Sequence, residues 1–163
     1  MKIALLLFVV TGIGIGISIP VARPRPVGSA APVAAAVVAR PERPVETVLE
    51  RSGGGHFYTA VDVNDEPIRF LVDTGASTVA LTVEDARRAH VVFDPAQFTV
   101  IGKGASGDVR GQEVRIASIV LDGKRASDIS GVVLEHSDIS LLGQSYLRHV
   151  GTVEIKGDQM RLR

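Results

Sequence analysis

The sequence predicts a mainly β domain of one lobe with one or two short helices, preceded by an apolar segment and a proline-rich linker. Three observations predict it. From residue 56 onward, short apolar runs alternate with turn residues, the pattern of strands packed on one face. Composition shifts sharply at Ser52-Gly53-Gly54-Gly55, which marks a domain boundary. A chain of 163 residues, 45% of them apolar, has room for one core and not for two.

Three segments follow, 1–22, 23–54 and 55–163. Ile3 to Ile19 carries no charge and would reach about 25 Å as a helix, close to a hydrocarbon core, so 1–22 is expected to be a transmembrane anchor or signal segment. Pro20 spoils the cleavage site that would end at Ala22, which favours the anchor. Lys2 before the span and Arg23 and Arg25 after it leave the orientation nearly even by charge. Segment 23–54, rich in proline, alanine and valine, reads as a weakly structured linker.

Within 55–163, alternation at Phe57, Thr59, Val61 and Val63 predicts a half-buried strand, Asn64-Asp65 a turn, and Pro67 to Val72 the partner strand. Thr82 with Asp85 three positions on predicts the N-cap of a helix from Val83 to Ala89. Further strands are expected at Phe98–Ile101, Val109–Leu121, Ile129–Leu134 and Thr152–Leu162, with a second helix at Gln144–His149.

Eighteen basic and eighteen acidic residues give no field that would draw nucleic acid or an anionic surface. Without cysteine there is no thiolate nucleophile, disulfide or zinc–thiolate site. The four histidines have no metal-ligand spacing, and no cofactor or metal motif is present.

The chemistry concentrates in Phe70-Leu71-Val72-Asp73-Thr74-Gly75-Ala76-Ser77-Thr78, an apolar strand that ends abruptly in a carboxylate, a hydroxyl and a glycine. Alone, Asp-Thr-Gly is common in tight turns. Here it is followed by Ala76-Ser77 and, later, by Leu141-Leu142-Gly143 ahead of a short helix. That combination resembles the catalytic turn of aspartic proteases, and the whole layout resembles the single-domain, membrane-anchored, retropepsin-like proteases of bacteria.

The resemblance implies a closed, mostly β retropepsin lobe in which Asp73 activates water for peptide-bond hydrolysis. Thr74 would bond backbone across a two-fold axis, and Gly75 would give room and adopt dihedrals that a side chain resists. The pepsin-type turn usually has a hydroxyl where this chain has Ala76, so weakly acidic to neutral activity is expected. The reaction needs two carboxylates sharing one proton. No second Asp-Thr-Gly or Asp-Ser-Gly occurs, so the resemblance implies a homodimer with Asp73 from each subunit. It also implies a substrate-binding flap, for which Ala105, Ser106 and Gly107 within Gly102–Asp108 are the candidates. The expected partners are a second copy, a peptide or protein substrate and, through the N-terminal segment, a membrane, with the protease domain outside the cytoplasm. The alternative is a non-catalytic peptide-binding module of the same fold.

Overall fold

The computed structural model describes residues 43–104 and 107–163. The expected anchor at 1–22 and most of the expected linker therefore lie outside the described residues. Among those described, no helix is long and apolar enough to cross a membrane.

Among the described residues ten strands and two short helices follow one another: β1 (Thr47–Glu50), β2 (Tyr58–Val63), β3 (Glu66–Val72), β4 (Val79–Thr82), α1 (Val83–Arg88), β5 (Thr99–Gly104), β6 (Gly107–Leu121), β7 (Lys124–Leu134), β8 (Ser140–Leu142), α2 (Gln144–Leu147), β9 (Val153–Lys156) and β10 (Gln159–Leu162). A 3₁₀ turn at Pro95–Gln97 precedes β5.

Local chemistry accounts for the turns. Asn64 and Asp65 both take positive φ, 50° and 71°, as a two-residue hairpin between right-twisted strands requires. Asp122 and Gly123 do the same between β6 and β7. The hydroxyl of Thr82 accepts a hydrogen bond from the amide of Asp85 at 3.0 Å, the N-cap expected for α1.

Seven strands lie in the order β2-β3-β8-β4-β7-β6-β5, and β2 also pairs with β6 through Asp62↔Val120 and Val63↔Ile119. That extra pairing closes β2, β3, β8, β4, β7 and β6 into a barrel, with β5 extending from it as half of a hairpin. Two of the joints are parallel, β3 with β8 and β4 with β7. Period-2 alternation sends Val61, Val63, Ile68, Phe70 and Ile116 inward, and Leu81 and Ile119 are buried with them, each essentially inaccessible. Burying a side chain of this size is worth roughly 1.5–3 kcal/mol, so this interior supplies the main driving force.

A second sheet, β1-β10-β9, packs Leu49, Met160 and Leu162 into the same core. It corrects two expectations. Residues 47–50, placed in the linker, form a strand whose partner, β10, is more than a hundred residues away. Thr152–Leu162 is two strands and not one, because Gly157 at φ +58° turns the chain back. The cross-link that seats β1 is polar. Buried Lys124 donates through Nζ to the carbonyl of Val45 and, at 2.9 Å, to the hydroxyl of Thr47. The buried Tyr146 hydroxyl donates to the Lys124 carbonyl at 2.7 Å.

Candidate active site

The inward residues of β3, Ile68, Phe70 and Val72, fix the strand, and the chain emerges from the barrel at Asp73. The Asp73 amide donates to the Leu142 carbonyl at 3.1 Å, so the start of the turn is tied to β8. Its carboxylate is half-buried, and Oδ1 accepts from the amides of Gly75 at 2.8 Å and Ala76 at 3.2 Å. The side chain thus folds back over its own turn, as a short aspartate can, and its orientation is set by backbone donors. Where Ala76 offers no hydroxyl, its amide supplies a bond in place of one.

Gly75 does not have a left-handed backbone, which corrects the expectation about its dihedrals. Its need is for space, since an added Cβ would lie 3.3 Å from Asp73 Oδ1, against the bonds that hold the carboxylate. Thr74 and Ser77 are exposed, and no residue among those described accepts from the Thr74 hydroxyl.

A brace from the far end of the chain supports the turn. Gly143, between β8 and α2, lies so close to it that an added Cβ would meet the Thr78 carbonyl oxygen at 2.2 Å and that of Ala76 at 2.8 Å. The Gln144 amide donates to the Ala76 carbonyl at 2.8 Å, and its side-chain amide to the Thr74 carbonyl at 2.9 Å. The buried hydroxyl of Ser145 accepts from the Val79 amide at 2.9 Å. The sequence pointed to Leu141-Leu142-Gly143 and a helix after it. It did not reveal Gln144 and Ser145 as braces, because a polar residue opening a helix reads the same whether it faces solvent or a turn seventy residues earlier.

Asp73 borders a recess of about 390 Å³ whose walls include Arg51, His56, Leu71, Leu141 and Ile155. Arg51 lies in the segment expected to be linker, and the sequence gave no sign of its place here. β5 and β6 form the expected hairpin, closing at the pair Gly104↔Gly107 with Gly107 at φ +120°. Of the expected flap residues, Ala105 and Ser106 lie outside the described residues.

These features define a class: a single closed β lobe that delivers one braced Asp-Thr-Gly turn to its surface, the fold and motif of an acid protease. The comparisons agree. Residues 59–149 match the family model for the aspartyl protease of gag polyproteins. A retropepsin-like aspartic protease from Rickettsia conorii, known from its crystal structure, superimposes with a TM-score of 0.61 at 35% identity, over 72% of this chain and 90% of that one. An uncharacterized protein of Rickettsia prowazekii is 38% identical over 118 residues, 72% of this chain and 51% of that protein. Another, from a Sinorhizobium species, is 35% identical over 136 residues, 81% of this chain and 58% of that protein. The chain spans about half the length of these curated relatives. It belongs to the retropepsin-like aspartyl protease family.

Proposed function

We propose that the chain is an aspartic endopeptidase that works as a homodimer, with Asp73 of each subunit forming the catalytic pair. The observation that carries this reading is the Asp73 turn itself. A half-buried carboxylate is fixed by the backbone amides of Gly75 and Ala76 and its turn is braced from α2, yet no second Asp-Thr-Gly or Asp-Ser-Gly occurs in the chain. Hydrolysis needs one carboxyl to take a proton from water and another to give one to the peptide carbonyl. A second copy brought against the same face supplies the missing group, and the exposed Thr74 hydroxyl is available to bond across the two-fold axis. The recess beside Asp73 then becomes part of a cleft between two lobes, and the β5–β6 hairpin is the flap over it.

The N-terminal segment is proposed to tether the chain to the cytoplasmic membrane, with the protease domain outside. The uncharged run from Ile3 to Ile19 and the family resemblance support this reading. Confinement to a membrane would raise the effective concentration of subunits and favour the dimer.

Incubating the purified protein with a peptide library tests the activity. Cleavage is expected that Asp73→Asn abolishes while leaving the fold intact, and specific activity is expected to fall on dilution as dimers dissociate. A folded, dimeric protein that binds peptides and cleaves none would assign the chain to the non-catalytic alternative.

A further inference from the structure

A larger open groove, about 610 Å³, lies further along the barrel and is lined by Thr78, Val92, Glu113, Arg115, Ser130 and Val132 together with backbone between them. Thr78, five residues after Asp73 at the end of the same turn segment, forms part of its lining and so places the groove next to the Asp73 turn. Leu71 pairs with Leu141, Leu141 with Ala80, Ala80 with Val132, and Val132 with Glu113. Residues directly opposite on neighbouring strands point to the same side of the sheet, so these five form one row around the outside of the barrel across β3, β8, β4, β7 and β6. Leu71 and Leu141 border the recess that holds Asp73. Four strand spacings of about 4.8 Å put Glu113 at most about 19 Å from Leu71, less with barrel curvature. An extended peptide covers that in at most about six residues at about 3.3 Å each.

The charges in the groove are unequal in availability. Arg115 is committed, since Nε donates to Asp128 Oδ1 at 2.7 Å, Nη1 to the Ser130 hydroxyl at 2.7 Å and Nη2 to the Asp128 carbonyl at 2.6 Å. That guanidinium hydrogen bond holds the Asp128 carboxyl below its usual range, so the pair stays ionised and internally neutralised. Glu113 is exposed and has no hydrogen-bond or ion-pair partner among the described residues. One net negative charge is left. Beside it Val92, 90% exposed, and half-buried Val132 give an apolar wall.

Resting on the proposed activity, we infer that Glu113 selects substrates carrying a lysine or arginine within about six residues of the scissile bond. An aliphatic stem would lie along Val92 and Val132 while the cationic head reaches Glu113. No other common side chain matches both an apolar wall and an unpaired carboxylate.

The test uses peptides differing only in lysine, glutamine or glutamate at each position up to six residues from the cleaved bond. Wild type is expected to prefer lysine over glutamine by about two- to fivefold in kcat/KM at one position, the size of an exposed ion pair, and less at high salt. Glu113→Gln should bring that ratio near one, and Glu113→Lys should turn it toward glutamate. Binding of the same peptides to the Asp73→Asn protein, followed by fluorescence anisotropy, reads the preference without catalysis. Equal ratios in wild type and Glu113→Gln, in cleavage or in binding, overturn the inference. If wild type cleaves nothing but binding still follows Glu113, the selectivity stands and the proposed activity fails.

Discussion

Replacing Gly143 by alanine should unseat the Asp73 turn although residue 143 contributes no side chain to it. The added Cβ would stand 2.2 Å from the Thr78 carbonyl oxygen, 2.7 Å from its carbon and 2.8 Å from the Ala76 oxygen, whereas ordinary contact begins near 3.4 Å. All three atoms are backbone, so relief requires the two segments to part by about 1 Å. A separation of that size takes the 2.8 Å and 2.9 Å bonds from Gln144 to Ala76 and Thr74 beyond hydrogen-bonding distance. Overpacking costs about 1–3 kcal/mol. Two lost bonds add about 0.5–1.5 kcal/mol each. The sum, about 2–6 kcal/mol, is a large part of the 5–15 kcal/mol typical of a domain. A fall in Tm of at least about 5 °C is therefore expected, together with loss of most peptide cleavage as the Asp73 carboxylate loses its fixed orientation. Gly53→Ala is the control, because nothing lies within 4 Å of its added Cβ. If Gly143→Ala melts within about 2 °C of the wild type and cleaves at its rate, the close approach of the two segments does not hold the turn.

Three other outcomes follow from the buried polar groups. Ser145→Ala orphans the buried Val79 amide and should cost about 1–3 kcal/mol in the denaturant midpoint, with Ser145→Thr, if it fits, restoring part of it. Lys124→Met removes the donor to Val45 and Thr47, and hydrogen exchange should then quicken at Thr47–Glu50 more than in β2 or β3; uniform change would show that Lys124 does not hold β1. Burial raises the pKa of the Tyr146 hydroxyl well above the ordinary tyrosine value of 10.0, so its neutral form contributes stability that is fully present below pH 10 and is lost as pH rises further. Tyr146→Phe should accordingly be less stable than wild type at pH 7–9 by about 1–3 kcal/mol, for the unpaired Lys124 carbonyl, with the gap narrowing above pH 10. A gap that widens there would reverse the assignment.

The sequence by itself determined what depends on neighbours along the chain. The Asn64-Asp65 turn, the Thr82 cap of α1, the alternation of β2 and β3 and the Asp73-Thr74-Gly75 motif are decided within a few residues. Resemblance added the closed lobe and the importance of Leu141-Leu142-Gly143. Tertiary structure decided the rest. β1 escaped a reading of its proline-rich surroundings because its bonds come from β10, across the length of the domain. The four-residue β4 is too short to show a period, and it is buried on all sides by pairing with β7 and β8. Alternation along a strand tells which residues share a face, but it does not say which strand lies alongside or in what register. For that reason Glu113 could read only as a polar residue on a strand, until the tertiary structure set it in one groove with Thr78 of the Asp73 turn segment.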